Sequence, residues 1–318
     1  MNEKSTIYWT AYSTYLTCPQ QFLYKYGWGN VDIGHGPGKG KPRPEKRSMH
    51  HAVMGIVIQY AIERMYNDEL YRDPKNLSTR LLQIVETEWR RQAARKYIDY
   101  QEARMSEEEM LDICRAGVKG YLKTMKAHKL LGEYSKAEVN LLGWINKWVS
   151  VGGRADMIIR RSDTGVTILD GKNSRHKGKY TDPDQLRWYA LLFRLTYREM
   201  PDRIGFVWYR YPHGEPLLDE DGAQVYDDND ELQVEQGVEW VDFTEEDLRG
   251  LAQRVVEARD NMRKEKFEAK PVASNCRFCD WESVCPERQA QYKSNAEKRG
   301  ASKKLEELDG ADGFVDLF

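Results

Sequence analysis

The chain has 318 residues, 31% of them charged, with 49 Lys and Arg against 51 Asp and Glu and a formal net charge of −2. That balance excludes a protein coated in basic charge, though not a local nucleic-acid groove. The mean hydropathy is −0.77 and no apolar run approaches the ~20 residues of a membrane span, which excludes a membrane-embedded class.

In chain order, Ser5 to Tyr26 reads as a helix, with Tyr12, Tyr15, Leu16, Phe22 and Tyr26 spaced to leave one aromatic-aliphatic face. Residues 29–48 break it with Gly34, Gly36, Pro37, Gly38, Gly40, Pro42 and Pro44, among which lie Lys39, Lys41, Arg43, Lys46 and Arg47. This is a basic loop, either solvated or in touch with phosphates. From about His50 to His128 the pattern is helical. Met54, Val57, Ile58, Ala61, Ile62 and Met65 form a stripe, further helices follow around Ser78–Tyr97 and Ser106–Ala127, and Ser106-Glu-Glu-Glu109 resembles a capping box. Cys114 sits at helical spacing and reads as a core thiol.

The period then drops from 3.6 to 2. Ala137–Ile145, Lys147–Val151, Ala155–Arg160 and Val166–Asp170 read as successive strands, with Asp163-Thr-Gly165 as a hairpin turn. An amphipathic helix over Asp184–Tyr197, a strand over Ile204–Tyr211, an acidic loop over Asp219–Asp230 and a strand over Val234–Phe243 follow. Thr244-Glu-Glu-Asp247 caps a helix running to about Lys266. The expected fold class is α/β: a small sheet, mostly antiparallel, flanked by helices, with a helical insertion before it. The opening residues do not read as a secretory signal, and the chain reads as cytoplasmic.

Two clusters carry chemistry. Cys276-Arg-Phe-Cys279-Asp-Trp-Glu-Ser-Val-Cys285 has C-x2-C-x5-C spacing. Two thiolates of one tight turn can bind a single metal centre there. Spacing alone leaves Cys18 as either a fourth ligand or a buried thiol.

The second cluster is acidic. Gly153-Arg-Ala-Asp156 and Ile168-Leu-Asp170-Gly171-Lys172 lie on strands that a short hairpin joins. Two carboxylates brought together repel unless a cation lies between them, and oxygen ligands suit Mg2+ or Mn2+. Lys172 shares a strand face with Asp170, where it can stabilise charge building on a phosphate. This is a layout for metal-assisted phosphodiester hydrolysis. Arg175-His-Lys177-Gly-Lys179 lies just beyond. Gln185 and Tyr189, four apart, share one helical face.

The ordered set Ser13-Thr-Tyr-Leu-Thr-Cys18-Pro19-x-x-Phe22, Gly153-x-x-Asp156, Asp170-x-Lys172, Gln185-x-x-x-Tyr189 and C-x2-C-x5-C-Pro286 resembles the RecB-like branch of the PD-(D/E)xK nucleases. Within it the chain is most similar to the iron–sulfur members: CRISPR-associated adaptation nucleases, the AddB nuclease domain, and viral or mitochondrial single-strand exonucleases. The resemblance covers residues 5–290. It implies a restriction-endonuclease-like core with a small mixed sheet, and a single nuclease domain over residues 1–290. That domain would have a helical part at 50–130, a catalytic core at 131–215 and a cysteine cluster at 271–290. It also implies a 4Fe-4S cluster on Cys18, Cys276, Cys279 and Cys285 that clasps both termini. A catalytic metal would be held by Asp156, Asp170 and the Gly171 carbonyl, with Lys172 as the catalytic lysine and Gln185 and Tyr189 lining the site against DNA.

One position departs from the family. Its Gly-x-x-x-His-x-x-x-Glu helix is matched by Gly55-Ile-Val-Ile-Gln59-Tyr-Ala-Ile-Glu63, so Gln59 stands where a metal-binding histidine is usual. An amide oxygen binds a hard cation more weakly than imidazole holds Mn2+. His50 or His51 are alternatives, and Glu138 is a further candidate acid. The charged tail over 291–318 ends in Phe314-Val-Asp-Leu317-Phe318, which resembles a sliding-clamp binding peptide and could equally pack back on the body. The expected activity is a metal-dependent exonuclease on single-stranded DNA or DNA ends. The competing readings are a DNA-binding protein with a decayed site and a zinc-stapled protein of unrelated function.

Overall fold

The computed structural model describes residues 5–27, 48–174, 176–177, 181–277, 279–295 and 297, and the backbone of 32–33. The basic loop, residues 175 and 178–180, and the terminal Phe314, Leu317 and Phe318 lie outside the described residues. The chain forms two compact units: Met1–Trp9 with Arg47–Glu257, and Thr10–Lys46 with Ala258–Phe318.

The first stretch differs from the expected single helix. Ser5–Tyr8 is a strand, β1, followed by helices α1 (Trp9–Thr17) and α2 (Pro19–Tyr26). Ile7 is fully buried and β1 runs parallel to the later strand that starts at Val149, so sheet pairing overrides the helical periodicity. Pro19 has no N–H and disfavours a helical residue before it. Cys18 is accordingly extended (φ −158°, ψ 107°) and separates the two helices. A two-residue strand, β2 (Asp32–Ile33), follows.

Helices α3 (His50–Asn67), α4 (Leu77–Ala93), α5 (Tyr100–Ala103) and α6 (Glu107–Ala127) fill the insertion. The α3 stripe Val53, Met54, Val57, Ile58, Ala61 and Ile62 is wholly buried. Ser106 and Glu109 complete a reciprocal capping box at the start of α6, a feature worth about 1 kcal/mol. Cys114 is fully buried on α6; burial pushes its thiol up to about 12.

The sheet adds β3 (Tyr134–Trp144), β4 (Val149–Arg161), β5 (Gly165–Lys172), β6 (Arg203–Trp208) and β7 (Val238–Val241), with helix α7 (Pro183–Tyr197) between β5 and β6. Helix α8 (Glu245–Arg263) and the short α9 (Ala273–Cys276) follow. β4 is one strand where the pattern predicted two. Its Gly152 and Gly153 do not turn the chain. A Cβ on Gly152 would lie 2.7 Å from the Tyr8 ring, and one on Gly153 would lie 2.9 Å from Leu192. The glycines admit close neighbours.

The sheet is mixed, with β1–β4 and β5–β6 parallel and β3–β4, β4–β5 and β6–β7 antiparallel. β3 lines one edge of β4 throughout. The other edge is shared: β1 takes Val149–Gly152 and β5 takes Met157–Arg161. Between them, residues 153–156 face a fork in the sheet. Helices α3, α4 and α6 form one core cluster with Ala137, Met157, Ile159, Leu169 and Val207, while α7 packs its buried Leu186, Trp188 and Leu192 from the other side.

The second unit packs on aromatic rings. Phe22 and Phe267 stack with centroids 6.1 Å apart, Tyr15 meets Phe22 edge-on at 5.6 Å, and Tyr24 lies 6.2 Å from Trp281. Among the described residues no helix is long and apolar enough to cross a membrane.

Candidate active site

The fork in the sheet assembles the acidic residues. Hydrogen-bonded pairing of β4 with β5 stops at Met157–Leu169, leaving Asp156 and Asp170 opposite each other where the strands part. The Gly171 N–H, freed by that parting, donates to Asp156 Oδ2 at 2.9 Å. Asp170 is buried and accepts from Gln185 Nε2 at 2.9 Å through Oδ1. The Lys172 ammonium forms an ion pair with Asp170 Oδ2 at 2.6 Å. Lys172 Nζ also donates to Gln185 Oε1 at 2.9 Å. Gln185 therefore fixes acid and lysine together from the first turn of α7, which Asp182 caps by accepting from the Asp184 N–H. Tyr189, one turn on, is buried.

The electrostatics follow from crowding. Burial, then the charge of Asp170, holds Asp156 well above the ordinary carboxylate range. Burial also raises Asp170, against the lowering effect of Lys172. Two raised, adjacent carboxyls fit a divalent cation.

Gln59 reaches the same place from α3. Its Oε1 accepts from the Tyr209 hydroxyl at 2.5 Å and its Nε2 donates to Glu138 Oε1 at 3.0 Å. Glu138 is thus part of the site and not a surface acid; its side chain is 11% exposed and pairs with Arg154 through the other oxygen. Glu63 lies in the same electrostatic neighbourhood, raised by burial and by Glu138. His50 is buried and its Nδ1 lies 2.8 Å from Ser48 Oγ. Beyond β5, Lys177 pairs with Glu235 and sits over the Tyr211 ring.

Tyr209 was not legible in the sequence as a site residue. Burial and then Asp156, Asp170 and Glu138 raise its phenol. A Cβ on Gly171 would lie 1.8 Å from its hydroxyl oxygen, so the glycine of Asp170-Gly-Lys172 makes room for this tyrosine. A groove of about 830 Å³ between α6 and residues 209–218 adjoins the site through Tyr209 and carries Lys119, Lys123 and Arg210 on its walls.

In the second unit, Cys18, Cys276, Cys279 and Cys285 line one small cavity with Gln21, Tyr24, Pro271 and Arg288. None of the four is in a disulfide. Burial raises Cys276, Cys279 and Cys285, and at Cys279 the other three cysteines raise it further. The Lys270 N–H donates to Cys18 Sγ at 3.4 Å. Lys270 Nζ donates to the Leu16 carbonyl at 2.9 Å and Asn275 Nδ2 to the Thr17 carbonyl at 3.0 Å, which ties the two segments together. Among the described residues no three His, Cys, Asp or Glu side chains stand close enough to share one metal ion.

No curated protein matches the chain. The crystal structure of SSO0001 matches it at 14% identity over 59% of this chain and 79% of that one, with a TM-score of 0.31. The model of the PD-(D/E)XK nuclease superfamily matches residues 9–286, most of the chain and every residue of the acidic site above, and the chain therefore belongs to that superfamily.

Proposed function

We propose that this protein is a metal-dependent DNA nuclease, acting as an exonuclease on single-stranded DNA or DNA ends. The observation that carries the reading is the Asp156–Asp170–Lys172–Gln185 cluster at the fork between β4 and β5. The donor set of Asp156, Asp170 and the Gly171 carbonyl suits Mg2+ or Mn2+, which would supply charge neutralisation at a phosphate and a water made more acidic. Lys172, fixed by Gln185 and Asp170, places a positive charge where negative charge develops on the scissile phosphate. Gln185 orients that lysine and Asp170 as a unit, and Tyr189 closes the floor of the site behind them. The groove between α6 and residues 209–218 offers Lys119 and Arg210 to a phosphate backbone, beside Glu235 and a Lys123–Glu215 ion pair.

We further infer that the four cysteines of the second unit hold a 4Fe-4S cluster with a structural role. The convergence of four thiols on one cavity supports this.

The test is degradation of single-stranded DNA labelled at either end by anaerobically purified protein in Mg2+ or Mn2+, beside Lys172→Ala. Ladders from wild type and a loss of at least ~100-fold in the variant, the scale of removing one preorganised charge donor, are the expected result. Binding without cleavage in either metal would refute the nuclease and favour a decayed site.

A further inference from the structure

The strand pair β3–β4 inverts its faces at one point. Side chains two, four or six residues apart on a regular strand share a face. Met157 and Ile159 lie in the core cluster with α3, as does Ala137. Yet Gly153, four residues before Met157, abuts Leu192 of α7, and Gly143, six residues after Ala137, abuts Leu195 of α7. The swap falls between Ala137 and Gly143 on β3 and between Gly153 and Met157 on β4, the stretches that hold Glu138 and Asp156. Glu138 itself has φ of +56°, a left-handed conformation that an L residue inside a strand rarely takes. Strain of this kind persists only where the surroundings over-determine it.

The surroundings that do so are the site. Resting on the nuclease reading above, we propose that Glu138 is a positioning residue of the cation site and that Gln59 acts by holding Glu138. The Gln59 amide is spent between the Tyr209 hydroxyl, at 2.5 Å, and Glu138 Oε1, at 3.0 Å. The face inversion turns Glu138 toward Gln59 of α3, where it adds a third negative charge near Asp156 and Asp170. Its remaining partner, Arg154, is 63% exposed, an ion pair weak enough for a cation to displace. The missing histidine is thus offset by a carboxylate from the neighbouring strand, aimed by backbone strain. Glu138 influences the cation through charge and orientation, since no three of these groups stand close enough to bind one ion directly.

The variants Glu138→Gln, Glu138→Gly and Gln59→Leu separate this from a structural role. Mn2+ binding is read by electron paramagnetic resonance on the metal-stripped protein, stability by urea unfolding. Glu138→Gln is expected to bind Mn2+ at least ~10-fold more weakly, the scale seen when a supporting residue of a metal site is removed. Glu138→Gly is expected to lose affinity equally, whatever the balance in its unfolding midpoint between relieved left-handed strain and the lost contacts to Gln59 and Arg154. Gln59→Leu is expected to weaken Mn2+ binding several-fold. Wild-type Mn2+ affinity in Glu138→Gln or Glu138→Gly would overturn the proposal. Wild-type protein that binds Mn2+ but cuts no DNA would instead overturn the nuclease reading and leave this one standing.

Discussion

Substituting Gly171 by Ala probes the packing that shapes the site without removing any charge. The new Cβ would lie 1.8 Å from the Tyr209 hydroxyl oxygen, 2.5 Å from its Cζ and 3.0 Å from Gln59 Oε1. Tyr209 is 2% exposed. The hydroxyl must break its 2.5 Å hydrogen bond to Gln59. A lost buried hydrogen bond costs about 1–3 kcal/mol and overpacking about 1–3 kcal/mol more. Removing a glycine from the unfolded ensemble returns about 0.4–1 kcal/mol. The net expectation is a destabilisation of roughly 1–5.5 kcal/mol from these three contributions, read by urea unfolding of metal-free protein. The same substitution in a Tyr209→Leu background removes the atoms it collides with. It should cost at least ~1 kcal/mol less there, a coupling of the size found between residues in contact. Equal costs in the two backgrounds, or no cost in the wild type, would refute the packing argument and with it the account of why glycine stands between Asp170 and Lys172.

Other expectations follow from the charges. Asp156 is raised well above its ordinary value of 3.8, first by burial and then by Asp170, so the folded metal-free protein keeps a proton that the unfolded chain releases. Its stability contribution is therefore full below that ordinary value and is lost as pH rises through the raised native value. Asp156→Asn should stabilise metal-free protein at neutral pH and flatten this part of the pH dependence, whereas an unchanged slope would show that the carboxyl is ionised in the fold. Protein purified anaerobically should contain iron and inorganic sulfide near four atoms each per chain, the content of a 4Fe-4S cluster. Cys276→Ser should lose both together with the visible absorption, and zinc in place of iron would refute the cluster.

Much of the chemistry was legible because it is local. Asp170-Gly-Lys172 lies within one strand, Cys276 to Cys285 within one turn and its extension, and Gln185 and Tyr189 on successive turns of one helix, so chain geometry brings each set together before any tertiary contact forms. The helical insertion and both capping boxes were legible for the same reason: Ser106 with Glu109 and Thr244 with Asp247 satisfy helix-end N–H groups within three residues. The opening stretch misled because Thr6, Ile7 and Tyr8, though strand formers, make a run too short to stand out from the helical spacing that follows; the strand is fixed by pairing with Val149–Gly152, some 140 residues away. The break assumed in β4 misled because glycine marks either a turn or a close approach, and only the position of Tyr8 and Leu192 shows which.

The sequence by itself determined which residue types are present at spacings that suit metal and phosphate chemistry, since hydrophobic period, caps and short motifs act over a few residues. Only the tertiary structure decided where β4 forks, that Tyr209 fills the space over Gly171, and that Glu138 turns left-handed to meet Gln59. These depend on strands and a helix far apart in the chain arriving at one point. Close packing and buried hydrogen bonds select that arrangement, and no local pattern encodes it.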